Sequence, residues 1–479
     1  MENKKMKIIS IASIIALALT LVTATYAYFM AQTGEGKSTD IKINANTIDT
    51  FTFEAGSALN LSLNQENFAS GAGNQTGTTF AKAMLTANNK TNTATEHYYL
   101  YLNISNNTFT YSIDNNTPEI LLSIKDGSNN EITTLTGLTY KMVTDGKGAS
   151  IKGFDITNKK GLVTILNNRE ITTTSTKTEE WNVTVTFVNY NSNQAGNAGK
   201  NFSAKLMIQK EEYKQTLVEY VKSQYTGTQG ENSLYYHDST LVNGAGDNSY
   251  RYAGASESVN NYICLGSDAI TCPDANLFRI IGVFGEQVKV IRAKSVGNKQ
   301  WDTNNSNTWS SSSLNTYLNG EYLTSLGTLK NKIATTTWKV GGDSWSNIVI
   351  SVPKTAYQYE VGSSASTTTV DKKIGLMYVT DYYYSASPSA WTLVGYNESD
   401  ATKDYRAATS TNWLYLGSYE WTISRVSGGT WDAFNVFSTG RVYSDGVADS
   451  YVARPSFNLL SSVTYASGSG TSSDPIRIN

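Results

Sequence analysis

The sequence predicts a multidomain, mostly β protein: an all-β sandwich followed by a domain of α+β type. Three observations carry this. A chain of 479 residues exceeds what one core holds, so two or three domains are expected. Asn, Ser, Thr, Gly and Tyr are abundant, with 31 tyrosines, and only 16% of residues are charged. Thr and Tyr favour strands, whereas Asn, Ser and Gly favour turns. Period-two alternation is clearest in the first half, and a helix-period apolar stripe appears only later. The formal net charge of −2, without long Lys/Arg blocks, argues against a nucleic-acid partner and gives no support for binding acidic lipid surfaces.

Residues 1–31 read as a signal peptide or an N-terminal transmembrane anchor. Lys4, Lys5 and Lys7 form a basic start, Ile8 to Phe29 is almost wholly apolar, and Thr25-Tyr26-Ala27 is a small-residue exit. The run is also long enough to span a bilayer, so cleavage after Ala27 and retention as an anchor both stand. The chain is therefore expected to be exported, extracellular or at the cell surface.

Residues 32–209 form the predicted sandwich. Tyr98, Leu100, Leu102 and Ile104 share one strand face, and Trp181, Val183, Val185 and Phe187 share another. Further strands are expected at Asp40 to Asn44, Glu119 to Ile124, Gly161 to Leu166 and Phe202 to Ile208. Turns at Asp126-Gly127, Asp145-Gly146 and Asn191 to Gly199 separate them. The exit Ala24-Thr25-Tyr26-Ala27-Tyr28-Phe29, followed by such a sandwich, is similar to the exported TasA/camelysin class of Gram-positive bacteria. That resemblance implies processing by a dedicated signal peptidase and, for some members, assembly into matrix fibres.

Residues 210–233 are expected to connect the domains. Tyr213, Leu217, Tyr220 and Val221 fall on one helical stripe over Lys210 to Gln224, with a solvated linker as the alternative. Thr226-Gly227-Thr228-Gln229-Gly230 ends the pattern.

Residues 234–479 form the second domain. Phe278 to Phe284 and Gln287 to Ile291 predict a hairpin across Gly285-Glu286. Ser311 to Ser313 can cap a helix that turns Leu314, Tyr317 and Leu318 inward, and a second helix is expected over Leu323 to Ala334. Strands should follow at Ile374 to Val379, Trp413 to Leu416, Trp421 to Arg425 and Arg441 to Val442. In an exported chain, the only cysteines, Cys264 and Cys272, read as a local disulfide, with two free thiols as the alternative.

Three motifs, Leu277 to Gly282, Trp309 to Asn319 and Gly375 to Tyr382, are followed in order by Glu420 to Arg425 and Ala453 to Leu459. The set resembles the C-type lectin fold in its formylglycine-generating-enzyme branch, as found in exported proteins of Gram-positive gut bacteria. That branch relies on late active-site cysteines, and this chain has none after Cys272, so the resemblance implies the fold and not the activity.

No catalytic residue, metal ligand or cofactor is expected. His237 beside Asp238 lacks a Gly-x-Ser-x-Gly elbow, and a loop histidine is the simpler reading. The Glu-Pro-Asn or Gln-Pro-Asp triplet of sugar-binding lectins is missing; Asp445, Asp449 and Asp474 read more simply as turn caps. His97 and His237 have no partner at zinc-site spacing.

The candidate ligand-binding residues are Trp431, Phe434, Phe437, Arg441, Tyr443, Asp445, Asp449 and Tyr451, aromatic and polar groups of paratope-like composition. Val436, Val442, Val447 and Val452 should be buried beneath them, while Trp413 and Trp421 belong to the core. Asp432 to Tyr451 also resembles segments diversified by a mutagenic retroelement, since it contains no Lys, Glu, Gln, Met or Trp. The leading expectation is an adhesion or ligand-binding protein whose partner is a protein or glycan on a host or neighbouring cell. A matrix or fibre protein and an enzyme of unknown reaction are the alternatives.

Overall fold

A computed structural model describes residues 49–68, 71–88 and 92–479, in two compact units, Met1–Tyr213 and Lys214–Asn479. The signal-like segment and the strand expected at Asp40 to Asn44 lie outside the described residues. No helix among the described residues is long and apolar enough to cross a membrane.

The first unit contains ten strands among the described residues: β1 (Thr50–Ala55), β2 (Leu59–Ser62), β3 (Gln75–Thr86), β4 (Ala94–Asn107), β5 (Ile120–Asp126), β6 (Tyr140–Thr144), β7 (Ser150–Asp155), β8 (Gly161–Thr173), β9 (Thr176–Phe187) and β10 (Asn201–Gln209). They form two antiparallel sheets, ordered β1-β3-β9-β5-β7-β6 and β2-β10-β4-β8. Leu100, Leu102 and Ile104 of β4 share one buried cluster with Val183, Val185 and Phe187 of β9, so the two sheets face each other across a common core. A polar clip joins them at one end. Trp181 Nε1 donates to the Tyr98 hydroxyl at 2.9 Å, that hydroxyl donates to Glu179 at 2.7 Å, and Arg169 makes two bonds of 3.1 Å to the same carboxylate.

The second unit opens with a helix, Leu217–Ser223. Thr216 and Glu219 form its capping box, and Leu217, Val218 and Val221 are buried in the second core. The expected connector is therefore a short element of the second unit, starting where Thr216 can cap it.

The main sheet runs β11-β12-β14-β15-β23 through β11 (Leu234–His237), β12 (Ser249–Tyr252), β14 (Leu277–Phe284), β15 (Gln287–Arg292) and β23 (Ser456–Leu459), with β13 (Tyr262–Cys264) also on β14. The expected hairpin pairs Phe284 with Gln287, and Gly285 takes the positive φ of 60° that a two-residue turn needs. Gly282 is required for a different reason. A Cβ there would lie 2.1 Å from the Tyr250 carbonyl oxygen, so only glycine lets β12 approach β14 this closely.

Two helical elements do follow Trp309, although their form differs from the expectation. Ser312 is the cap, its hydroxyl accepting from the Asn315 amide at 3.1 Å. The helix Ser313–Tyr317 continues through a wide turn, Leu318–Tyr322, into Leu323–Ser325, and a tighter helix follows over Gly327–Asn331. Leu314 and Leu318 are buried and Tyr317 is half-buried. A small two-stranded antiparallel sheet comes next, β17 (Thr336–Lys339) with β18 (Thr369–Lys372), with the helices Trp345–Ile348 and Pro353–Glu360 between its strands.

Two expected strands are absent. Between Ile374 and Val379 only Gly375 bridges to Ser456, and the chain then turns into the helix Val379–Tyr384. Trp413 to Leu416 is a turn whose carbonyls meet side chains instead of a ladder. Arg454 donates to the Leu414 carbonyl at 2.6 Å and Arg279 to that of Trp413 at 3.4 Å. Arg454 also forms a bidentate pair with Glu420, at 2.6 and 2.8 Å, with both groups almost fully buried. The disulfide Cys264–Cys272 is formed, and Arg477 holds its loop through the carbonyls of Ser267, Ala269 and Ile270.

Candidate functional site

A second sheet of the same unit carries the predicted segment. Its order is β16-β22-β19-β20-β21, from β16 (Asn298–Gln300), β19 (Glu420–Arg425), β20 (Asp432–Val436), β21 (Val442–Gly446) and β22 (Ser450–Val452). β20 and β21 form a hairpin closed by Phe437 N–H to the Arg441 carbonyl at 2.9 Å. Registered pairs in an antiparallel ladder share a face. Asn435 with Tyr443 and Ala433 with Asp445 therefore look one way, while Phe434 with Ser444 and Val436 with Val442 look the other.

On the first face the rings join hand to hand. Trp345 meets Tyr443 at 5.7 Å between centroids, Tyr443 meets Phe437 at 5.5 Å, and Phe437 meets Tyr419 at 4.6 Å. Tyr419 meets Tyr451 at 5.1 Å and Tyr451 meets Trp421 at 4.7 Å. The Arg441 guanidinium lies among Phe437, Tyr396 and Tyr443, with its carbon 4.2, 4.6 and 4.9 Å from their centroids. Asp445 accepts from the Tyr451 hydroxyl at 2.9 Å and the Asn435 amide at 2.8 Å. Burial, and then this carboxylate, push the Tyr451 hydroxyl upward, so it stays a donor.

Of the eight candidate residues, Phe437, Arg441, Tyr443, Asp445 and Tyr451 thus come together. Trp431, about half exposed, and exposed Asp449 sit at the opposite end of the β20–β21 hairpin. Phe434 is a correction: it was expected to face outward and is fully buried. Three positions from Phe437 along a period-two strand, it must face the other side. Val436, Val442 and Val447 are buried as expected, whereas Val452 is only half-buried. On one side its strand has only β16 as neighbour, three residues long and largely exposed. Tyr419, Trp345 and Tyr396 were missed. Tyr419 shares the period of Trp421, which could have revealed it; Trp345, opening the short helix Trp345–Ile348, and Tyr396, in a loop, are distant in sequence and leave no local signal.

Sequence reasoning also missed a pocket of about 170 Å³ in this unit, where Arg251, Lys289, Asp247 and Asp381 lie beside Tyr357 and Trp338 among others. Arg251 pairs with Asp247 at 2.6 Å and Lys289 with Asp381 at 2.5 Å. The available signal was Lys289 itself, a charge within the apolar run Val288 to Ile291.

His237 and Asp238 form no dyad. Asp238 accepts from the amides of Thr240 and Leu241, while His237 is buried against Tyr384 and Trp391 and its Nδ1 accepts from the Ala245 amide at 3.1 Å. Burial above all, with the Arg251 charge second, holds its pKa well below 6.5. The unfolded chain gains this proton below pH about 6.5 and the folded chain does not, so stability falls with pH there, by up to about 1.4 kcal/mol per unit. His237→Asn keeps an acceptor for Ala245 without titrating. The stability gap between wild type and this variant should narrow by about 1.4 kcal/mol between pH 7.5 and 5.5 in denaturant titrations. An unchanged gap would contradict the neutral buried histidine.

Asp474 accepts from the Ser469 amide at 2.9 Å in the C-terminal turn, and no three His, Cys, Asp or Glu side chains gather at a metal-binding spacing among the described residues. No family model matches the chain, and no curated protein matches it either.

Proposed function

We propose that the protein is an exported surface or secreted binding protein whose aromatic face, around Phe437, Arg441, Tyr443 and Tyr451, adheres to a protein or glycan on a host or neighbouring cell. The single observation that carries this is the connected ring strip with Arg441 among its rings, assembled on a rigid sheet. Half-buried aromatics offer large contact area at low entropic cost, and hot spots are enriched in Tyr, Trp and Arg. The basic-then-apolar start of the sequence supports export. Likeness to C-type-lectin-like domains supports display from a loop-rich surface, and the candidate residues offer recognition more readily than catalysis.

The test is the double substitution Phe437→Ala/Tyr443→Ala in the intact chain, assayed on an immobilised glycan array and on intact epithelial and bacterial cells. Binding should fall at least about 100-fold, the size of two lost hot-spot residues. The unfolding transition should stay cooperative. A variant that binds as wild type, or one that no longer folds, would remove these rings from the binding face.

A further inference from the structure

We propose that the ligand of the aromatic face is an acidic glycan, a sugar chain whose carboxylate pairs with Arg441. This rests on the reading above that the face is where the protein binds, and it names the class of ligand. Arg441 is the exception among the arginines of the chain. The side chain of each of the others donates to an oxygen of the protein, as Arg454 does to Glu420, Arg406 to Asp404 and Arg425 to the Gly341 carbonyl. No acceptor and no carboxylate among the described residues engages the Arg441 side chain. The contrast is sharpest at Tyr396, whose ring lies 5.1 Å from the Arg406 guanidinium and 4.6 Å from that of Arg441. Asp404 neutralises the first cation. The second keeps its charge uncompensated.

Phe437, Tyr396 and Tyr443 hold this guanidinium in place and offer its N–H groups no oxygen. Its Nε is covered by protein, whereas Nη1 and Nη2 are not, so the edge that carries two parallel donors is turned outward. A carboxylate meets that edge through two bonds at once. The rings also keep water from the flanks of the cation, which strengthens its pull on an anion. The rest of the face suits a sugar. Arg441, Tyr443 and Asp445 follow the period of two along β21, which sets Asp445 about 13 Å from Arg441 with Tyr443 between them. Asp445 takes the Tyr451 hydroxyl and the Asn435 amide on Oδ2, while its Oδ1 is uncovered and meets no donor among the described residues. Sugar hydroxyls are donors for such an oxygen. Tyr443, Phe437 and Tyr419, the last 38% exposed, offer rings to the apolar C–H side of a sugar. An acidic peptide would supply the carboxylate but set further carboxylates against Asp445. The distance between the two charges calls for several linked sugars.

The experiment measures binding of the intact chain to immobilised sialylated and uronate-containing oligosaccharides, each beside its methyl ester, with sulfated oligosaccharides and an oligoglutamate peptide as comparators. At least one carboxylated glycan should bind, and its ester, the same sugar without the charge, should bind about 10- to 100-fold more weakly, the size of a charge-assisted bidentate contact. Arg441→Gln should lower binding of the acid to the level of the ester and leave the ester unchanged. Arg441→Lys, which keeps the charge and loses the fork, should fall between the two. Should Arg441→Gln fail to fold, the comparison of acid and ester on the wild type decides alone. Phe437→Ala/Tyr443→Ala should weaken acid and ester alike. Equal binding of acid and ester, an unaffected Arg441→Gln variant, or binding of only the peptide or the sulfated sugars would overturn the acidic-glycan proposal, while loss of that binding in the ring variant would keep the aromatic face as the binding face. Acid binding that survives in the ring variant would instead remove the binding face itself, and this proposal with it.

Discussion

Replacing Arg454 with methionine is expected to destabilise the second unit by about 3–5 kcal/mol, the range for removing one partner of a buried ion pair. The guanidinium answers both oxygens of Glu420 and the Leu414 carbonyl, and all of these are buried. Burial already pushes the Glu420 carboxyl upward, with Arg454 opposing, so loss of the arginine leaves a carboxylate in apolar surroundings. Urea unfolding followed by tryptophan fluorescence suits the measurement, because every tryptophan except Trp181 lies after residue 300. Glu420→Gln/Arg454→Met should recover part of the loss by removing the stranded charge. A loss under about 1 kcal/mol for Arg454→Met would show that the pair is not buried in this way.

Gly282→Ala is expected to cost about 3 kcal/mol or more, lowering Tm of this unit by roughly 6–12 °C. The added methyl would meet the Tyr250 carbonyl oxygen at 2.1 Å and the Arg251 Cα at 3.1 Å, both main-chain atoms that no rotamer change can clear. β12 must shift, and Arg251 shifts with it. Gly285→Ala is the comparison. Its φ is positive but nothing lies within 4 Å of the new methyl, so it should cost only about 1 kcal/mol. Equal thermal stability of the two variants would refute the close approach.

Legibility in the sequence followed the range of the interaction. The hairpin across Gly285-Glu286, the faces of β4 and β9, the Cys264–Cys272 bridge and the buried Val436, Val442 and Val447 rest on neighbouring residues and simple periods. The strands imagined at Ile374 to Val379 and Trp413 to Leu416 failed for the opposite reason. Their apolar runs suit burial of any kind, and the carbonyls of Trp413 and Leu414 are answered by arginines from far along the chain. The aromatic face was half legible: spacing placed Phe437, Tyr443 and Tyr451 together, but a strict count of two would have excluded Phe434. Trp345 and Tyr396 reach Tyr443 only through tertiary folding, and the same holds for the pocket at Arg251 and Lys289.

β23 sets the order in which the second unit can be completed. It pairs with β15 along four residues, yet more than 160 residues of chain separate the two strands. The Leu217 amide likewise donates to the Val463 carbonyl at 2.8 Å, and Tyr220 stacks on Tyr465 at 3.9 Å, so the beginning of the unit waits for its end. Contacts of such long sequence separation are slow to form. Until synthesis passes Tyr465, β15 keeps an open edge and the apolar side of the opening helix has no cover. A chain stopped before Ser456 would lack this strand altogether and leave the edge of β15 open to pairing with other chains.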